Sequence, residues 1–76
     1  MKNQKKTIDK QIFVKFGKIL REKRQEKKLT QEGLADLAGI HRTYIAGIER
    51  GFRNPSLKNI IRLSKALKIG PKELFQ

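Results

Sequence analysis

Cysteine is absent from this 76-residue chain, which excludes disulfides, thiolate catalysis and cysteine-bound zinc together. Acid is scarce as well: seven Asp/Glu stand against 19 Lys/Arg, and no two are spaced as a carboxylate pair for acid–base work. The single histidine, His41, stands at a helix start, where a cap or backbone contact suits it better than a metal. No glycine loop is built to cradle phosphate. No apolar run approaches the ~20 residues that span a bilayer, and the basic N-terminus lacks the apolar stretch of a signal peptide. These absences leave no enzyme, cofactor or metal site to expect and describe a soluble, cytoplasmic, single-domain chain. Its core is thin, with a net stability on the order of 5 kcal/mol. No strand pattern and no internal repeat appears, so the expected fold class is all-α.

What the chain does have is positive charge, a formal +12 that is unevenly placed. Residues 1–28 hold 11 Lys/Arg against 3 Asp/Glu, whereas residues 29–76 hold 8 against 4. A polyanion is the natural partner of such an excess, and its binding should weaken steeply with salt as counterions are released. Lysine that only keeps a small domain soluble would leave the same signature.

Residues 1–10 contain one strong apolar residue, Ile8, and read as a mobile basic arm ahead of a single domain over 11–76. From Ile12 the apolar residues Ile12, Phe13, Phe16, Ile19 and Leu20 follow a helical period through Glu26 or Lys27. Gly17 interrupts it at a cost of about 1 kcal/mol relative to alanine. Three later helix starts share one spacing. Leu29 and Leu34 flank Thr30, Ile40 and Ile45 flank His41, and Ile69 and Leu74 flank Gly70, each pair placed as a hydrophobic staple around a capping position. Thr30 is a good cap and His41 a poor one, while Pro71 suits a first helical position. Ser56 can cap a further helix carrying Leu57, Ile60, Ile61, Leu63 and Leu67. That helix is apolar around more than one stripe. Leu63, Leu67, Ile69, Leu74 and Phe75 are therefore expected to form a dimer surface, the alternative being that one core absorbs them all.

Residues 31–50 are the most specific part. Leu34, Leu37 and Ala38, then Ile45 and Ile48, form two short apolar-periodic stretches around a Gly39-Ile40 break too tight to be a linker. Ala35 is small where the two helices meet, and Gly39 can take the positive φ that ends a helix. The pattern is a helix-turn-helix. Its second helix would show Arg42, Thr43, Gly47 and Arg50 on the outer face. Arg42, at the start of that helix, can reach deepest into a major groove about 12 Å wide. Gly47 is costly in an exposed helix unless its backbone must approach DNA.

Leu29-Thr-Gln-Glu-x-Leu-Ala35, Gly39-Ile40, Tyr44-Ile45, Ile48-Glu-Arg-Gly51 and Pro55-Ser-Leu57 resemble the Xre/Cro/CI-type helix-turn-helix regulators. The string from Arg42 to Asn54 is similar to the controller proteins of restriction-modification systems. The resemblance covers about residues 12–75 and implies a compact five-helix, lambda-repressor-like domain. It implies a sequence-specific, homodimeric DNA-binding transcriptional regulator on a palindromic operator, acting on its own and an endonuclease promoter, with RNA polymerase as a further partner. An ordinary phage or plasmid repressor, or an antitoxin-like module, shares the broader motif. A non-specific binder of RNA or anionic membrane fits less well, since the arm has no aromatics to stack on bases.

The resemblance also implies residue roles. Gln31 would meet a phosphate at a helix N-terminus, Arg42 would read bases, and Thr43 would add a second contact. Tyr44 would touch phosphate or sugar through its hydroxyl, and Arg53 with Asn54 would contact DNA beyond the helix; the residues alone leave open a half-buried core aromatic at 44 and a partnerless loop arginine at 53. Ala46 lacks the small hydroxyl often found at its position. Arg24 and Glu49 would form an ion pair that locks the first helix to the second motif helix.

Overall fold

The computed structural model describes the backbone of residues 2–76 and the side chains of residues 10–76. Four α-helices and a terminal 3₁₀ turn follow one another: α1 (Lys2–Glu26), α2 (Gln31–Ala38), α3 (Arg42–Glu49), α4 (Leu57–Leu67) and the turn Pro71–Leu74. The architecture is all-α, as the sequence predicts, with four α-helices in place of five. The last element differs because its bonds span only three residues, Glu73 N–H to Gly70 C=O and Phe75 N–H to Lys72 C=O at 3.0 Å each.

The starts of α2, α3 and α4 lie where their caps were expected. Thr30 Oγ1 accepts from Gly33 N–H at 2.9 Å, and Ser56 Oγ accepts from Asn59 N–H at 3.1 Å. His41 serves α3 through Nδ1, which accepts from Thr43 N–H at 3.2 Å. That requires the imidazole tautomer whose Nδ1 carries no proton. Gly39 ends α2 at φ 67°, in the left-handed region that spares a glycine the penalty a side chain would incur.

α1 begins earlier than the sequence predicts. Its backbone is helical from Lys2, so residues 2–10 continue the helix where a mobile arm was expected. No proline interrupts them and no glycine precedes Gly17. Lysine and glutamine are good helix formers, so a helix nucleated by the packed turns at Phe16–Leu20 extends backward at little cost. Met1 and the side chains of residues 2–9, with any phosphate contact by the arm, lie outside the described residues.

Phe16, Ile19 and Leu20 of α1 meet Leu34, Ala35 and Ala38 of α2, Ile45 and Ile48 of α3, Leu63 and Leu67 of α4, and Leu74 in one buried core. Full burial of a leucine or isoleucine contributes roughly 1.5–3 kcal/mol, so this layer is what sets α2 and α3 against each other. Two expectations are corrected here. Leu37, predicted on the apolar stripe of α2, is 62% exposed. Leu63, Leu67 and Leu74, predicted for a dimer surface, are at most 1% exposed and already spent on the core of a single copy. α4 is apolar over so much of its circumference because it packs against both α2 and the terminal turn. Of the five residues named for that surface, Ile69 is half-buried and Phe75 exposed.

Candidate nucleic-acid interface

The Arg24–Glu49 pair joins α1 to the end of α3. Arg24 Nε and Nη2 donate to the two Glu49 carboxylate oxygens at 2.7 and 3.0 Å, and Nη1 donates to Leu29 C=O at 2.8 Å. The side chains are 11% and 3% exposed, so the pair is buried and its guanidinium fork is largely satisfied. Hydrogen bonding to Glu49 is the largest influence on Arg24 and holds its pKa above the ordinary value; burial opposes this and the Glu49 charge adds to it. A raised arginine pKa keeps the group cationic throughout the neutral range, so its contribution is lost only at strongly alkaline pH.

Gln31 joins the same knot, with Nε2 donating to Glu49 Oε1 at 3.0 Å. The α2 N-terminus, the α1 C-terminus and the α3 C-terminus thus converge on one carboxylate. This gives Gln31 a structural task beside the phosphate contact expected of it, with one amide N–H still uncommitted. An open concavity lined by Thr30, Gln31, Glu32, Arg42, Thr43 and Ala46 lies between the α2 start and α3.

Arg42 and Thr43 are exposed at the first turn of α3, and Arg50 is exposed at its C-cap. Arg42 Nη1 lies 3.7 Å from Glu32 Oε2, both side chains being more than two-thirds exposed. Such a solvent-screened pair is worth little and can open without much cost. Glu32 was not foreseen, since no periodicity links positions on two different helices. Arg50 sits over Phe52, its guanidinium carbon 5.4 Å from the ring centroid.

Tyr44 has a structural task, and the expectation for Gly47 is corrected. The Tyr44 hydroxyl donates to Asn54 C=O at 3.3 Å and accepts from Ser56 N–H at 3.4 Å, and its ring is half-buried against the core. Gly47 was to lie bare on the outer face, yet it is buried. Its cover is Arg53, which is itself exposed and passes over Tyr44 with its guanidinium carbon 5.8 Å from the ring centroid. Asn54 is exposed in the same loop.

The helix-turn-helix family matches residues 20–74, which contain all of α2, α3 and α4. A control protein of Bacillus amyloliquefaciens, C.BamHI, is 52% identical over 65 residues, covering 84% of this chain and 80% of its own. The chain belongs to the restriction-modification controller proteins of the helix-turn-helix family. The crystal structure of the controller protein C.AhdI from Aeromonas hydrophila superposes with a TM-score of 0.82 at 57% identity, covering 83% of this chain and 96% of that one. An immunity repressor of Bacillus phage phi105 is 43% identical over 53 residues, but the match spans only 37% of its length. Controller proteins are transcriptional regulators and not enzymes. As a controller-protein relative, the chain carries its outward cations on a helix whose orientation a buried ion pair fixes.

Proposed function

We propose that this controller-type regulator acts as a homodimer on a palindromic operator in the cytoplasm, at its own promoter and that of a neighbouring endonuclease. Arg42 and Thr43 of each copy enter successive major grooves about 34 Å apart, with Arg42 bidentate to a guanine. Arg50, Arg53 and Asn54 flank them, and Gln31 meets phosphate at the α2 N-terminus. RNA polymerase is a further partner on the same DNA. The observation that carries this reading is the exposure of Arg42 and Thr43 on a helix tied through Glu49 to both Arg24 and Gln31.

The dimer finds support in apolar surface left uncovered on α4: Leu57 is 75% exposed, and Ile60 and Ile61 are half-buried beside it. Footprinting on DNA upstream of the gene, at near-physiological salt, tests the reading. A protected palindrome bound in clear preference to scrambled duplexes is expected. Equal affinity for both would end it.

A further inference from the structure

Gly47 is buried although it lies on the outward side of α3, and the atoms that cover it belong to Arg53. A methyl group added at Gly47 would lie 2.6 Å from Arg53 Cγ, 3.3 Å from Nε and 3.5 Å from Cδ. The side chain continues from there across the face of Tyr44, three residues earlier on the same helix. Tyr44 in turn is fastened by its hydroxyl to Asn54 and Ser56, the backbone just beyond Arg53. The stem of Arg53 therefore runs in a notch with Gly47 as its floor and the Tyr44 ring beside its guanidinium.

We infer that Gly47 and Tyr44 are positioning residues for Arg53, making a loop arginine part of the rigid reading surface of α3. The inference rests on the DNA-binding reading above. A free arginine on a loop loses its rotamer freedom when it binds, whereas one already seated gives up little, so the notch raises affinity without touching DNA itself. Glycine is required at 47 because any Cβ lifts the stem off the helix. Close approach of DNA backbone to Gly47, the role the sequence suggests, would require glycine equally. The two accounts part when Arg53 is removed.

The experiment compares wild type, Gly47→Ala, Arg53→Ala and the double variant on the footprinted operator, with each base pair varied in turn. Arg53→Ala is expected to weaken binding by about 5- to 150-fold, the range for losing one bidentate base contact, and Gly47→Ala by about 2- to 13-fold, the range for ordering one long side chain, with preference relaxed at the same base step in both. The double variant should bind no more weakly than Arg53→Ala. Should the Gly47→Ala factor persist in full without Arg53, or Gly47→Ala bind as wild type does, the positioning role is overturned.

A measurement on the free protein separates this from the DNA reading. Arg53 side-chain protons should show a ring-current shift from Tyr44 that disappears in Gly47→Ala and in Tyr44→Leu, with the helical circular dichroism retained. An unshifted Arg53 in the wild type overturns the notch whatever the protein binds. A wild type that prefers no sequence, with Arg53 still shifted, overturns the DNA reading instead.

Discussion

Gly17→Ala sets two rules of helix stability against each other. Alanine is favoured over glycine in a helix interior by about 1 kcal/mol, so propensity alone makes the variant more stable. In this fold Gly17 is where α1 crosses the end of α3. An added Cβ would run into Ile48 O, and would stand 2.9 Å from Glu49 O and 3.0 Å from Glu49 C. These are backbone atoms, which cannot rotate aside as a side-chain tip would, so the helices must separate. Overpacking of a tight contact costs about 1–3 kcal/mol, and here the displaced segment also carries the carboxylate that Arg24 holds two helical turns further along α1. With the upper part of that range set against the propensity gain, a net loss of about 2 kcal/mol is expected. In a domain of this size that lowers Tm by roughly 8–16 °C. Thermal melting followed by circular dichroism measures it, with Lys18→Ala on the exposed side as a control expected within about 0.5 kcal/mol of wild type. A Gly17→Ala protein that melts at or above the wild-type temperature would refute the close-approach account.

Glu49→Gln should cost about 3–5 kcal/mol by leaving the Arg24 charge buried and unpaired, whereas replacing both partners with leucine-sized apolar residues should recover much of the stability in a chemical melt. Arg42→Ala is expected to weaken operator binding by about 1–3 kcal/mol and relax one base step, read by a binding profile over all single-base variants; an unchanged profile removes its assignment. Removing residues 1–10, which carry four lysines and one aspartate, should lower affinity for all DNA alike and flatten its salt dependence. An unaltered slope would detach the arm from phosphate. Leu57→Lys should shift sedimentation equilibrium toward a single copy while leaving the melt of that copy intact, because Leu57 is three-quarters exposed.

What could be read in the sequence is what depends on near neighbours along the chain. The staples around Thr30, His41 and Gly70 gave their helix starts because cap and staple are both set within five residues. The turn at Gly39 followed from one backbone angle. Periodicity also found most of the core, failing at Leu37, where a stripe computed along one helix cannot tell which edge α4 leaves uncovered. Leu63, Leu67 and Leu74 were placed on a second copy for the same reason: how many neighbours a helix has is a property of the assembled fold. The Tyr44 hydroxyl and the floor at Gly47 were illegible because both depend on where the loop after α3 returns. Gly17, a flaw in α1 by propensity alone, is what lets the end of α3 lie against that helix.

The few acids of the 29–76 segment explain how a strongly basic chain nevertheless has a defined reading face. Glu49 is withdrawn from solvent and neutralised by Arg24, with Gln31 completing its shell. Glu73 accepts from Gly70 N–H at the terminal turn, and Glu32 stands loosely by Arg42. Long-range attraction to a polyanion needs only the net charge, and any arrangement of the lysines would supply it. Discrimination among bases needs a guanidinium held to within a fraction of an ångström, and net charge does nothing for that. A buried ion pair adds little net stability compared with apolar residues of the same volume, so the use proposed for it here is geometric: it has one satisfactory arrangement, which joins the end of α3 to α1. On the proposed reading the surface lysines draw the chain to nucleic acid, and Glu49, the one buried carboxylate among the described residues, sets the direction in which Arg42 would point on arrival.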